Sequence, residues 1–478
     1  MDGKTAEAGC AARPVVVPRL QAELKLFRSA LGHHALVVDG SRVYDLMADE
    51  AAVLRAAITP GDAAGSTDSA ALLADLGLLA PAARRRIALD PIEPPKVTAF
   101  SLNVAQACNM GCTYCYADEG KFGGRARLMP QEVARASVDR LFAEADADAR
   151  LVLGFMGGEP LLARTLVHDT ARYAFDKAQR LGRDIGFSIT TNATLLNEAD
   201  ARLFHELPFV VTISLDGTRD VHRAQRPMHN GHDSYQAVLD ALAVIARVGR
   251  PKQLAARATV TARSGRLLPL LDHMIGLGFD DVGFSALLVS PDPRLAFTAT
   301  EFERHLTHMI ECGEKALAEI KAGRPYPFGN LETALQEIHR GSHRPLPCGA
   351  GAGYLSVNAE GRLYACHRLI DDPAFIMGDI RVGPDTQARQ KLLNRSHVDR
   401  MEPCSGCWAR YLCGGGCHHE VKARGRVACD YIRGWLEFCL KAYVELGTHF
   451  AQTGSEHLST RDGASAIANV PHMVSSPR

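Results

Sequence analysis

The sequence has no excess of charge: 54 Lys+Arg stand against 54 Asp+Glu. Without a basic field it carries no footprint for nucleic acid, and without an acidic surplus it has no solvating tail. Long apolar runs are missing too. Nothing approaches the roughly 20 uninterrupted apolar residues of a membrane-spanning helix. The opening stretch MDGKTAEAGCAARPVVVPRL lacks the apolar segment after a basic start that marks a secretory signal, so a cytoplasmic protein without a membrane partner is expected. What remains, 46% hydrophobic and 23% charged residues over 478 positions, is the composition of a globular chain of several domains.

Cysteine is present and unevenly spread. Of 13 cysteines, all but Cys10 and Cys312 fall within 108–115 and 348–439. In a reducing compartment such clustering points to metal ligation or catalysis rather than disulfides.

Residues 1–97 hold no cysteine cluster. HHALVVDGSRVYDLMADEAAVLRAAI reads as two short strands around an Asp39-Gly40 turn and then a helix, followed by a second helix in DSAALLADLGLLA. Prolines 91, 94 and 95 mark a linker. From 98 to 325, strand-like runs (97–104, 151–156, 186–192, 209–216, the segment around Arg257, and 281–289) alternate with helix-period stretches. Six β–α units predict an α/β domain with a parallel sheet, open or closed into a partial barrel, with ligands at the C-terminal strand ends. Residues 326–453 are cysteine-rich with glycine-rich turns, as expected of a segment ordered by bound metal. The tail 454–478 is small and polar and is expected to be disordered.

Cys108, Cys112 and Cys115 directly follow the first of these strands. Thiolates select zinc, copper(I) or iron–sulfur clusters. On a cubane cluster three cysteines leave one iron with a free site, which makes the site reactive rather than structural. Zinc with three cysteines and water is the rival, but it commonly recruits a histidine, and none lies between 103 and 160. Three core cysteines are disfavoured by Gly111 and the polar flanks.

With Tyr114 before its last cysteine, this Cys-x3-Cys-x2-Cys stretch resembles the radical S-adenosylmethionine (radical SAM) family. Further motifs in order carry the likeness: GGEP (Gly157, Gly158, Glu159, Pro160), SLDG (Ser214–Gly217) and Arg257 in ARATVT. The resemblance implies a partial (β/α)6 TIM-like barrel. It implies a [4Fe–4S] cluster on Cys108, Cys112 and Cys115 whose open iron takes S-adenosylmethionine. It places Tyr114 near the adenine, GGEP at the methionine amino group with Glu159 supplying charge, Ser214 near the ribose and Arg257 at the methionine carboxylate. One electron from a reducing donor then generates a 5′-deoxyadenosyl radical.

Cys348 and Cys366 are followed by Cys404-x2-Cys407-x5-Cys413-x3-Cys417, then Cys429 and Cys439. Eight cysteines suit two four-thiolate sites, which by spacing alone could be zinc ribbons or iron–sulfur clusters. Beside a radical SAM barrel the region resembles the SPASM extension, which holds two auxiliary [4Fe–4S] clusters, bringing the total to three. The resemblance puts Cys404, Cys407, Cys413 and a later cysteine on the distal cluster and Cys348, Cys366 and Cys417 on the proximal one. Cys429 and Cys439 compete for the remaining places. His367, His418 and His419 adjoin ligand positions, either as ligands or beside them.

SPASM proteins act mostly on ribosomally made polypeptides. Residues 15–82 resemble the PqqD-like module that captures a leader peptide by strand addition, the alternative being a docking module without a peptide role. YADEGKFGG, after the cluster cysteines, resembles thioether-forming enzymes, among them the maturation proteins of quinohemoprotein amine dehydrogenase, which join cysteine sulfur to Asp or Glu side chains. The expected partner is therefore a cysteine-containing polypeptide with a leader. Asp233 is either the base that deprotonates the substrate thiol or the N-cap of a helix starting near Ser234. The competing functions are a sulfatase-type maturase that makes formylglycine, and a non-catalytic peptide chaperone or electron-transfer protein.

Overall fold

The computed structural model describes residues 22–58, 67–76 and 92–453. Cys10 and the tail from 454, with the disorder expected of it, lie outside the described residues.

At the N-terminus three antiparallel strands, β1 (Leu24–Ser29), β2 (Gly32–Val37) and β3 (Arg42–Leu46), form a small sheet in the order β1-β2-β3. The helices Ala48–Ile58 and Thr67–Asp75 follow. The turn around Gly40 joins β2 to β3 as the sequence implies; β1 is an additional strand that the sequence reading had not drawn. Leu24, Ala35 and Val37 bury one face of the sheet against Leu54, Leu72 and Leu73.

The main sheet contains β4 (Ala99–Gln106), β5 (Arg127–Leu128), β6 (Leu151–Gly157), β7 (Ile185–Thr191), β8 (Phe209–Ser214), β9 (Gln253–Val260) and β10 (Asp281–Ala286). It continues through β11 (Tyr354–Val357), β12 (Arg362–Tyr364), β13 (Ile376–Asp379) and β14 (Gly383–Pro384). Six parallel strands run in the order β10-β9-β8-β7-β6-β4, as the β–α alternation predicts. Along β8, Phe209, Val211 and Ile213 point into the apolar core, while Ser214 opens on the other face. This period of two is the sequence signal that identified the strand.

The sheet does not stop at the boundary expected near residue 325. β11 lies parallel to the free side of β4, in register from Tyr354 opposite Ala99 to Val357 opposite Leu102. The Ser101 hydroxyl, shared with Tyr354 (2.7 Å) and Ser356 (2.9 Å), ties the two strands further.

The N-terminal module is seated on the cysteine-rich region. Val38 packs with Val398, Cys404 and Tyr411. Arg410, almost fully buried, pairs with Glu23 at 2.7 Å and with Asp399 at 3.2 Å. Among the described residues β3 has no strand on its outer side.

Candidate functional site

β4 ends at Gln106, and the chain turns at once into the loop carrying Cys108, Cys112 and Cys115. The three thiols border a cavity of about 1110 Å³ at the C-terminal ends of the parallel strands. Tyr114, Gly157, Gly158 and Ser214, all anticipated from the sequence, line it. Burial pushes the Cys108 thiol up to about 12 and that of Cys112 to about 11. These groups therefore hold their protons until a metal displaces them.

The GGEP glycines are demanded by backbone packing. A Cβ on Gly157 would stand 2.4 Å from the Ala105 carbonyl oxygen, and one on Gly158 would stand 2.3 Å from that of Ala107. Gly120, at φ +89°, abuts Gly158 so closely that its Cβ would lie 2.6 Å from the Gly158 Cα. The stretch after the cluster cysteines is thus laid directly on the GGEP turn.

Glu159 sits behind the cavity wall. Its carboxylate accepts from the amides of Leu161 (2.9 Å) and Asn192 (2.8 Å) and the hydroxyl of Thr191 (2.7 Å). Burial nevertheless pushes its pKa up to about 7. Through Asn192, whose side chain donates to Asn109 at 2.9 Å, it braces the cysteine loop.

Behind Tyr114 and Arg226, which line the cavity, lies Asp216 of SLDG, the motif whose Ser214 is the residue expected from the sequence. Its carboxylate accepts from the Tyr114 hydroxyl (2.7 Å), the Thr259 amide (2.9 Å) and Gln225 (3.2 Å), and it pairs with Arg226 (3.0 Å). The Arg226 guanidinium lies 5.3 Å from the centre of the Tyr114 ring and lines the cavity. Burial alone would lower the Arg226 pKa, but Asp216 raises it further, so the cation is permanent. An acid directly after a serine at a strand end was the available sign for Asp216. No local pattern marks Arg226.

Besides Glu159, which lies behind the cavity wall and not in it, two expected residues lie elsewhere. Arg257 pairs with Asp281 on the neighbouring strand and is not among the cavity-lining residues, whereas Arg226 and Arg368 are. Asp233 caps the helix Ser234–Val248, accepting from the amides of Tyr235 (3.0 Å) and Gln236 (3.2 Å), and pairs with Arg219 at 2.6 Å. Its slight burial raises the pKa, but the Gln236 amide, Arg219 and Arg223 hold it below the usual carboxylate range. Outside the cavity and tied up as a cap, it is poorly placed as a base.

The second cysteine region divides into two groups. Cys404, Cys407, Cys413 and Cys429 border a cavity of about 680 Å³, which Cys417 also lines. Burial raises Cys413, and nearby Cys404, Cys407 and Cys429 add to the rise. Cys366 is pushed up to about 11 by burial, with Cys348 and Cys417 adding to it. Cys429 thus lies with Cys404, Cys407 and Cys413, and Cys417 acts on Cys366 as well as lining their cavity. Cys439 is a correction: it is wholly buried in the apolar core of the helix Cys429–Thr453, ten residues beyond Cys429. At 1.5 Å per residue that is about 15 Å along the axis, and burial alone raises its thiol.

The proximal trio has no fourth thiol among the described residues. His367 is 3.1 Å from the Tyr354 hydroxyl, and His419 packs on Tyr116 with ring centres 5.4 Å apart. No three His, Cys, Asp or Glu side chains among the described residues close around a single ion. The all-thiol donor sets fit iron–sulfur clusters, whose irons take thiolate ligands. The two cysteine regions meet at the large cavity. Tyr116, Arg368 and His419 line it, and Tyr116 is raised to about 12 by burial, with Cys366, Cys115 and Cys417 among the groups adding to this.

Residues 102–262 match the model of the radical SAM superfamily. The chain carries a radical SAM domain. Over 366 residues it is 24% identical to a serine-type anaerobic sulfatase-maturating enzyme of Klebsiella aerogenes, spanning 73% of this chain and 86% of that one. Over 147 residues it is 29% identical to a cysteine-type anaerobic sulfatase-maturating enzyme of Clostridium perfringens (strain 13 / Type A), covering 30% of this chain and 39% of the relative. Among solved structures it is similar to native anSMEcpe with bound AdoMet, at a TM-score of 0.63 and 18% identity, over 73% of this chain and 98% of the other. The radical SAM α/β fold, with its parallel sheet and C-terminal cysteine-rich region, follows. No helix among the described residues is long and apolar enough to cross a membrane.

Proposed function

We propose that the protein is a radical SAM maturase that forms thioether cross-links between cysteine sulfur and carbon within a small ribosomally made polypeptide. The carrying observation is the proximal trio Cys348, Cys366 and Cys417, which has no fourth thiol among the described residues and adjoins, through Tyr116, Arg368 and His419, the cavity bordered by Cys108, Cys112 and Cys115. A substrate thiol can fill the missing place while its target carbon lies in the cavity.

With S-adenosylmethionine, a [4Fe–4S] cluster held by Cys108, Cys112 and Cys115 supplies a 5′-deoxyadenosyl radical able to take hydrogen from an unactivated C–H bond. The chain's own residues position and shield. Asp216 fixes Tyr114 and Arg226 on one wall, and Glu159 fixes Asn192 and the cysteine loop on the other. Ser214 offers a hydroxyl at the rim. Three clusters fit the three groups of thiols. The open edge of β3 suits a leader peptide added as a further strand. The likeness of YADEGKFGG extends the proposal to Asp or Glu side chains as the carbon partner, as in the small subunit of quinohemoprotein amine dehydrogenase.

The second reading, formylglycine formation, is favoured by the likeness to a sulfatase-maturating enzyme over 73% of this chain. Co-expression with small cysteine-containing polypeptides separates the two. A thioether appears as loss of two hydrogens with protection of the cysteine from alkylation. Formylglycine appears as an aldehyde trapped by a hydrazide, and finding it would replace the thioether proposal.

A further inference from the structure

Beside the distal cysteines lies a second cavity, of about 790 Å³, that the chemistry above does not use. Arg395, Lys422, Arg426 and His418 line it, and no acidic side chain does. In a chain with no net charge this is a local concentration of cations. Phe375 forms an apolar floor between two of them, 5.1 Å below the Arg395 guanidinium and 5.5 Å from the Lys422 ammonium.

These cations are only partly neutralised. Lys422 pairs with Asp372. Arg395 and Arg426 have no carboxylate partner among the described residues. The Arg426 Nε is buried without an acceptor, and its Nη2 faces the sulfur of Met401 at 2.9 Å. A guanidinium offers five donors in a fork that fits carboxylates and phosphates. Arg426 has Met401 and the Cys404 thiol as neighbours, and the Arg395 guanidinium is left without a carboxylate among the described residues.

Position gives the cavity a use. Gly415, Gly416, Val421 and Arg426 border both this cavity and the one lined by Cys404, Cys407, Cys413, Cys417 and Cys429. Arg426 also reaches the Cys404 thiol. An anionic group seated on Arg395 and Lys422, both exposed, would bring its carrier against the wall of the distal cysteines.

We propose that this cavity is the docking site for an acidic one-electron donor protein, whose carboxylates engage Arg395, Lys422 and Arg426 and which reduces the protein through the distal cluster. The inference rests on the iron–sulfur reading given under Proposed function. The step makes and breaks no bond: one electron leaves the donor's reduced flavin, which becomes the semiquinone, and enters the oxidised distal cluster.

The test uses the cluster-loaded full chain with flavodoxin hydroquinone as probe and dithionite as a small reductant that needs no docking. Flavodoxin binding and the stopped-flow rate of cluster reduction should fall with rising salt. Arg395→Glu and Lys422→Glu should each lower both by about tenfold at low salt. Iron content and dithionite-driven 5′-deoxyadenosine formation should stay unchanged. Wild-type affinity in the variants, insensitivity to salt, or no binding at all would overturn the proposal. Inorganic phosphate held by Arg395 and Lys422, with flavodoxin reduction unaffected by either substitution, would overturn it in favour of a small-anion site. If charge reversal lowers iron content, the combined Arg395→Gln and Lys422→Gln variant decides. It should retain iron and still slow only flavodoxin, and iron loss there also overturns the proposal. Failure of the wild type to cleave S-adenosylmethionine with dithionite would instead sink the radical reading itself.

Discussion

Arg226 and Asp216 form an ion pair of 3.0 Å in which the carboxylate is wholly shielded from solvent and the guanidinium nearly so. The pair holds Tyr114 from two sides, by a hydrogen bond from its hydroxyl to Asp216 and by the cation near its ring. Removing the acid leaves a buried cation uncompensated. Asp216→Ala should therefore cost about 3–5 kcal/mol, read from urea unfolding. A loss below about 1 kcal/mol would mean that water reaches Arg226.

Glu159 gives a pH signature. Burial lifts its pKa from 4.5 to about 7, so the folded chain keeps a proton that the unfolded chain has already released. Stability should fall as pH rises from about 4.5 through about 7. A shift of this size is worth about 3 kcal/mol. Glu159→Gln removes the titration, and parallel denaturation curves for the two proteins across this window should show a flatter decline in the variant. Identical declines would place the titrating group elsewhere.

The two last cysteines should behave differently. Cys429→Ala should lower iron content by about four atoms per chain, the content of one cubane cluster. Cys439→Ala should leave iron unchanged and cost only core packing, about 1 kcal/mol. Iron analysis after anaerobic reconstitution distinguishes them, and iron loss in the Cys439 variant would return it to the ligand set.

Asp233→Ala removes a helix cap and should cost about 1 kcal/mol. Reductive cleavage of S-adenosylmethionine and peptide modification should both persist. Loss of modification with cleavage intact, followed by mass spectrometry of the peptide, would restore Asp233 as a base.

The legible parts of the molecule are those written in local pattern. The strands from β4 to β10 announce themselves by alternation, and the three-cysteine loop by its place after the first of them. Gly157 and Gly158 were identifiable as positions of close approach, although what approaches is the backbone of Ala105 and Ala107. Arg226 was not legible, because an arginine in the polar stretch AQRPMHNGHDSY carries no sign of burial. Arg257 misled for the converse reason: it lies on a strand, yet its charge is spent on Asp281. The pairing of β11 with β4 joins segments some 250 residues apart, which no periodicity reports.

That pairing has a mechanical consequence. β4 is hydrogen-bonded on one side to the strand ending at Gly157 and on the other to β11, the hairpin of which leads to Cys366. Truncation near residue 325 would not release a free-standing barrel; it would strip the outer edge of the strand that leads to Cys108. The proximal thiols and the cysteine loop are thus joined through one sheet, β11 pairing with β4 as far as Leu102. The two cysteine regions share one frame.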